Sequence, residues 1–231
     1  SNLERGTDFK SYSDPLISFF SGSSQRRKQV VDRIRNQSRR LGLEEVFSIL
    51  RGHNGSCPFN GFNRDVCMHA SDPFIRKSHT TGSLVVELDS SSGLRAFVTA
   101  GSTPCLTPFK PILPGEMPEG IDRGGYRYES ESYWWRHKQF CLDAELRLSK
   151  VAEPITSEIR EIESYYCMNM PMCQWNDLDE LLLSRCREAF IRSSMLDDKW
   201  RQKMKRIEKD HHLVHNAFWS LIARRNGLSL S

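Results

Sequence analysis

The alternation of apolar and polar side chains predicts one β-hairpin in the first half of the chain. Residues 84–88 (LVVEL) alternate in the two-residue period of a strand, and residues 94–100 (LRAFVTA) are again rich in strand-forming side chains. Residues 90–93 (SSSG) are typical of a connecting turn. We therefore expect an antiparallel hairpin over residues 82–100.

Helical periodicity precedes this hairpin. Residues 25–40 place apolar side chains at near-helical spacing among Arg and Lys, and residues 43–51 repeat the pattern after Gly42. Residues 1–24 mix Gly, Ser, Asp and Pro with a few apolar side chains, which indicates an irregular leader. We expect two helices that are separated by the glycine.

Two segments are predicted to be irregular connections because they are rich in turn-forming residues. These are residues 53–77 and, with five prolines and four glycines, residues 104–125. Long loops of this kind are often functional when they cover a site.

The chain after residue 130 is predicted to be helical, with Pro154 beginning a new helix or kinking one. Residues 176–226 are interpreted as one long helix, or as two helices joined around Ser193 and Ser194. This prediction rests on side chains that alternate four and three residues apart, which is typical of a helix packed lengthwise on another helix. The side chains are Trp200, Met204, Ile207, His211, Val214, Phe218 and Leu221. We divide the chain into residues 1–170 and a helical extension, residues 171–231.

Composition favours a globular protein with one sizeable core, because 38% of the 231 residues are hydrophobic and 27% are charged. No apolar run approaches the roughly 20 residues that a membrane span needs. The start lacks the basic-then-apolar pattern of a secretory signal. These features predict no membrane association and a cytoplasmic location.

The cysteines are considered first as metal ligands. The seven are spread without the spacing of a disulfide scaffold, so reduced thiols are expected. Cys57, Cys67 and His69 suggest zinc, but their spacing fits no paired finger, and loop packing is the favoured interpretation. His211 and His215 lie one helical turn apart without the glutamate of the usual catalytic motif, so a buried histidine is favoured there. We predict no metal and no cofactor.

The positive charge is concentrated near residues 25–51, which carry eight Arg or Lys against three Asp or Glu. This surface is able to meet phosphates or an acidic partner. Aromatic side chains that stack on bases are absent from the basic helix. A solvated face, or one that pairs with an acidic subunit, is therefore favoured over nucleic-acid binding.

Several segments carry a family resemblance. Residues 76–88 (RKSHTTGSLVVEL), 94–105 (LRAFVTAGSTPC), 109–111 (FKP) and 133–137 (YWWRH) resemble the C-terminal part of the secernin and dipeptidase family of N-terminal-nucleophile (Ntn) cysteine hydrolases. The resemblance covers most of residues 40–165.

The resemblance implies an α+β fold in which the hairpin belongs to an αββα sandwich with helices outside, followed by a long helical C-terminal half. In a complete family member, an amino-terminal cysteine attacks an amide carbonyl, and water then hydrolyses the acyl-enzyme, with small peptides as substrates. Ser1 is not followed by an apolar strand and is not favoured as a nucleophile. No catalytic residue is assigned, and the chain is expected not to be catalytic alone.

The resemblance also implies partners and a place to look for a site. A second polypeptide carrying the missing part, or self-association, would complete the domain. Hydroxyl and imidazole groups before a buried strand are able to position a substrate, which makes four residues candidates for substrate binding; these are His79, Thr80, Thr81 and Ser83. Capping of the strand and turn is the alternative role for these side chains.

A helical protein–protein interaction module is the alternative function. The side chains with four-three spacing from Trp200 to Leu221 would bind another helix. The basic residues 26–40 would attract an acidic partner.

Overall fold

The computed structural model describes residues 14–37, 40–55, 58–59, 63–74, 76–113, 115, 118, 121, 125–174 and 179–228. An α+β architecture is confirmed for these residues. The helices are α1 (Pro15–Ser21), α2 (Ser23–Arg35), α3 (Leu43–Leu50), α4 (Tyr133–Glu145), α5 (Leu148–Asn169), α6 (Glu180–Met204) and α7 (Leu213–Arg225). The strands are β1 (Leu84–Asp89), β2 (Gly93–Val98) and β3 (Lys110–Ile112), and a 3-10 turn spans Pro104–Leu106.

The predicted hairpin is confirmed. Strand β1 pairs antiparallel with β2, with Val85 opposite Phe97, and β3 pairs antiparallel with the other edge of β2. The expectation that residues 104–125 are wholly irregular was wrong for β3. This strand contains Pro111, which lacks a backbone N–H and therefore suits the edge of a sheet.

The two faces of the sheet differ in their surroundings. Phe97 is fully buried and packs edge-on against Phe47 of α3, with ring centroids 5.5 Å apart, and Val85 lies in the same cluster. The opposite face of β1 exposes three apolar side chains, which we call the outer face of β1: Leu84 (58% exposed), Val86 (45%) and Leu88 (70%). One side of the sheet is thus packed on helices, whereas the outer face of β1 is exposed.

The main helical core lies where α5 meets α4 and α6. Side chains from the three helices form one buried apolar cluster, which includes Phe140, Val151, Ile155, Ile159, Leu196, Trp200 and Met204. Pro154 lies inside α5 rather than at its start. The helix begins at Leu148, where the carboxylate of Asp210 accepts hydrogen bonds from the backbone N–H and the hydroxyl of Ser149, at 2.8 and 2.6 Å.

The same Asp210 explains why one long C-terminal helix was the wrong prediction. The backbone N–H of Asp210 donates to the carbonyl of Leu146 at 2.7 Å, so the chain between α6 and α7 is held against the start of α5. Ser193 lies in the middle of α6, not at a junction. The expected lengthwise spacing is not on one helix, and Val214 is 65% exposed whereas Met204 is fully buried.

The start of the described chain also departs from expectation. The predicted irregular leader was wrong for α1, where the Asp14 carboxylate accepts from the backbone N–H of Ile17 at 2.9 Å and caps the helix. Gly22, with φ +68°, separates α1 from α2, which ends at Arg35 rather than at residue 40. None of the helices in the described residues combines the length and apolar character that a membrane crossing requires.

Candidate functional site

His79, in the loop before β1, contacts a lysine of α4 and a tryptophan of α7. The ammonium of Lys138 on α4 is 3.1 Å from Nε2 of His79, and the imidazole stacks on Trp219 of α7 with centroids 5.5 Å apart. Burial, and then the charge of Lys138, lower the pKa of His79 to about 4. His79 is therefore neutral near pH 7 and accepts a hydrogen bond from the lysine.

Two of the hydroxyl-bearing candidates beside His79, Thr80 and Ser83, are held by structural hydrogen bonds. The Thr80 hydroxyl accepts from the backbone N–H of Met68 at 3.0 Å and is 3.3 Å from the carbonyl of Val66, so it joins two parts of the loop. The backbone of Ser83 is bonded to Thr99: the Ser83 N–H donates to the Thr99 hydroxyl at 2.9 Å, and the Thr99 N–H donates to the Ser83 carbonyl at 3.0 Å. Thr81 is exposed.

A second group of side chains brings two histidines and two cysteines close together. The donor atoms of His53, Cys67, His69 and Cys105 all lie within 4.8 Å of one another. We call these four residues the Cys2His2 cluster. His53 follows α3, Cys67 and His69 belong to the loop before β1, and Cys105 lies in the 3-10 turn. Segments distant in sequence thus bring two sulfur and two nitrogen atoms together.

Nε2 of His69 is close to a side-chain atom of each of the other three residues in the cluster. This atom is 3.2 Å from Nε2 of His53, 3.3 Å from Sγ of Cys105 and 3.7 Å from Sγ of Cys67. The other ring nitrogen, Nδ1, is 3.0 Å from Oε1 of Glu145 on α4. Cys67, His69 and Glu145 are fully buried.

The backbone that presents Cys105 is unusual. Thr103 has φ +59°, which is strained for a β-branched residue. Its hydroxyl donates to Oε1 of Glu145 at 3.1 Å, and its backbone N–H donates to the carbonyl of Thr80 at 3.0 Å. These bonds fix the turn so that Cys105 reaches His69.

The pKa values in the Cys2His2 cluster are displaced by mutual contacts. Burial alone lowers the pKa of His69, but its hydrogen bond to Cys67 and the Glu145 carboxylate together raise it to about 10. Burial raises the pKa of Cys67, whereas hydrogen bonds from Cys105, His53 and His69 bring it well below its usual range. For Cys105, the hydrogen bond with Cys67 and then burial raise the pKa.

A cavity of about 590 Å³ opens beside this cluster and is lined by His53, Cys105, Arg51 and Glu163 among others. Cys105 is partly buried, whereas the other cysteine of the cluster, Cys67, is fully buried. The arrangement is chemically suited to two roles. Four convergent soft and imidazole donors suit a metal ion, and a thiol, imidazole and carboxylate in sequence suit an activated nucleophile.

A separate buried network lies between α4 and α6. His137 Nδ1 is 2.7 Å from Oδ2 of Asp197, and His137 Nε2 is 2.7 Å from the Thr107 hydroxyl. Burial lowers the pKa of His137, but the charge of Asp197 raises it, and the resulting pKa is about 10. Burial raises the pKa of Asp197 in turn, although His137 opposes this. His137 and Asp197 are thus a buried pair in direct contact.

The sequence indicates only part of the Cys2His2 cluster. It suggests Cys67 and His69 as ligands together with Cys57, which lies outside the described residues. His53 and Cys105 were not connected with them, because a distance of 52 residues separates these two in sequence and only the fold joins them. The short Cys67–His69 spacing, with His53 nearby, was the available signal. His211 and His215 are not part of the cluster.

Comparison with known proteins gives no relative on which to base an assignment: no family model matches the chain, and no curated protein or solved structure matches it significantly.

Proposed function

We propose that residues 40–165 form the C-terminal part of an amide-hydrolysing domain of the secernin-like Ntn type. In that family the nucleophilic cysteine precedes the segment that this chain resembles. The first cysteine of the present sequence is Cys57, which lies within that segment. The proposal therefore assigns the nucleophile to polypeptide other than residues 1–231 and assigns no catalytic residue here.

The observation that supports this function most is the exposed outer face of β1. Leu84, Val86 and Leu88 alternate along the strand and point to the same side, away from the helices that pack on Val85 and Phe97. On the same face, Leu94 and Ala96 of β2 are buried, so the exposed apolar strip is confined to β1. An exposed apolar strip along a strand is typical of a surface that meets another sheet or a partner. An αββα sandwich requires such a second sheet.

The edge of the sheet supports the same proposal. Within the described residues, β1 pairs only with β2 and is an edge strand. Edge strands have backbone groups that are able to pair with an added strand. A second polypeptide that extends the sheet at β1 and covers its outer face would complete the fold.

A substrate-binding role for residues near His79 is part of this proposal. Lys138 supplies a positive charge beside His79, and Thr81 and Ser83 follow on the way to β1. A cation next to a neutral imidazole is suited to hold the carboxylate of a small peptide. Thr80, whose hydroxyl joins two loop segments, would position the loop around this site.

The test is reconstitution of peptide hydrolysis. The protein is isolated from its source together with any bound polypeptide, and hydrolysis of small peptides is measured before separation, after separation and after recombination. We expect activity in the assembly, loss on separation and recovery when recombinant chain is added. Val86→Lys should fail to restore activity, whereas Ser90→Lys, which adds the same charge at the exposed hairpin turn, should restore it.

Two results would overturn the proposal. One is hydrolysis by the separated recombinant chain at the rate of the assembly. The other is equal recovery with Val86→Lys and Ser90→Lys, which would show that the outer face of β1 does not hold the partner.

A further inference from the structure

We propose that His53, Cys67, His69 and Cys105 bind one Zn²⁺ ion in a closed tetrahedral site. The site would fix the long loop between α3 and β1 to the 3-10 turn and to α4. This inference uses only the contacts of the Cys2His2 cluster, so it stands or falls independently of the proposed hydrolase function.

Three of the six distances between donor atoms are close to those of a tetrahedral zinc site. Zinc bonds of about 2.3 Å to sulfur and about 2.0–2.1 Å to nitrogen place neighbouring ligands about 3.3–3.8 Å apart. The three contacts of His69 Nε2, to His53, Cys105 and Cys67, are 3.2, 3.3 and 3.7 Å. The other three pairs lie within 4.8 Å, and binding of the ion would draw them into the same range.

The orientation of His69 indicates which of its nitrogens is the ligand. Nδ1 faces the carboxylate of Glu145 at 3.0 Å and donates to it. Nε2 is then the ring nitrogen that faces His53 and the two sulfur atoms, and it would bind the ion on giving up its proton. This is the carboxylate–histidine–metal arrangement that fixes the tautomer of a ligating histidine and raises its basicity.

The supporting contacts are built around Glu145. Its Oε1 atom also accepts from the hydroxyl of Thr103, two residues before Cys105, at 3.1 Å. The strained backbone of Thr103 orients its hydroxyl towards Glu145 and also positions the sulfur of Cys105 near His69. One buried carboxylate orients ligands from two different segments.

The donor set favours zinc in a structural role. Two thiols and two imidazoles in tetrahedral positions suit Zn²⁺ better than hard, oxygen-preferring cations. Four protein ligands leave no open coordination position, and Cys67 and His69 are fully buried. His53 and Cys105 also line the adjacent cavity, so two of the four ligands lie at its wall.

The competing role is an activated thiol, with Cys105 as nucleophile, His69 as base and Glu145 orienting it. The activated-thiol arrangement uses Cys105, His69 and Glu145. It gives no role to His53 Nε2 and Cys67 Sγ, which lie close to the same atoms. A metal ion uses all four donors. The nucleophile role is therefore an alternative outcome of the test.

The experiment is a metal-binding measurement on the full chain, purified under reducing conditions. Metal content and competition with a chelating dye are measured for the wild type, Cys105→Ala, His53→Ala and Cys186→Ala. Cys186 is a matched control because it is a buried thiol in a different apolar cluster. Co²⁺ is used as a spectroscopic probe of a tetrahedral thiolate site.

We expect one Zn²⁺ per chain in the wild type and in Cys186→Ala, and binding weakened by about 100-fold or more in the other two variants. If those variants do not fold, X-ray absorption of the wild type decides. It should show two sulfur neighbours at about 2.3 Å and two nitrogen neighbours at about 2.0–2.1 Å.

The inference is overturned if reduced wild type binds no zinc, if the shell contains no sulfur, or if Cys105→Ala binds as tightly as Cys186→Ala. Rapid, selective alkylation of Cys105 in the presence of saturating zinc would also contradict it and would favour the nucleophile role.

Discussion

Glu145 and His69 are 76 residues apart in sequence, yet Oε1 of the first lies 3.0 Å from Nδ1 of the second. Both side chains are fully buried. The contact joins α4 to the loop before β1, and through Thr103 it reaches the 3-10 turn that presents Cys105. A single carboxylate therefore connects the helical core with the Cys2His2 cluster.

Glu145→Gln should weaken zinc binding by about 10- to 100-fold while leaving the four ligands in place. The amide oxygen still accepts a hydrogen bond, but the charge that raises the basicity of His69 is lost. Competition with a chelating dye measures the change. Glu158→Gln is the control, because Glu158 pairs with Lys199 away from the cluster; equal affinities in the two variants would show that Glu145 does not act on the metal.

Substitution by lysine should destabilise the chain far more at Val85 than at the adjacent Val86. Val86 is 45% exposed, so Val86→Lys should change the free energy of unfolding by less than about 0.5 kcal/mol in the isolated chain. Val85 is 9% exposed, so Val85→Lys should cost more than about 2 kcal/mol because it buries an unpaired charge. Urea unfolding measures both. A large cost at Val86 would mean that the chain itself covers this face.

The buried pair between Arg51 and Glu163 should be a main support of the sheet–helix junction. Glu163 accepts from the guanidinium of Arg51 and, at 2.6 Å, from the backbone N–H of Phe109. Glu163→Ala leaves Arg51 without its buried partner and should cost about 3–5 kcal/mol in urea unfolding. Glu158→Ala removes an exposed pair and should cost less than about 1 kcal/mol. Similar losses would contradict this role.

Lys110 and His137 should give opposite pH dependences of stability. Burial lowers the pKa of Lys110 from 10.5 to about 7, so the unfolded state binds more protons between these values and stability rises with pH. The pKa of His137 is raised from 6.5 to about 10, so its contribution is present below pH 6.5 and is lost as pH rises to 10.

Lys110→Met should reveal the His137 effect. The variant loses the rising contribution, so its free energy of unfolding should fall more steeply than that of the wild type between pH 7 and 10. Urea unfolding at several pH values measures the slopes, and Lys150→Met, at a lysine whose side chain is 44% exposed, is the control. Identical slopes in wild type and Lys110→Met would contradict the lowered pKa of Lys110.

The local parts of the fold were predictable because they depend on neighbours in sequence. The hairpin follows from alternation in residues 84–88, and α3 follows from Gly42 and the apolar spacing after it. The break between α6 and α7 was not predictable, since it depends on Asp210 binding Ser149 on another helix. The Cys2His2 cluster was only half visible, because His53 and Cys105 meet through tertiary packing alone.

The most direct test of a hydrolase domain shared between polypeptides is the native mass of the protein isolated from its source, with identification of every chain present. We expect a second polypeptide that begins with cysteine, in equal amount, and its loss when the isolated protein carries Val86→Lys. A folded monomer of this chain alone, inactive on small peptides, would contradict the proposal.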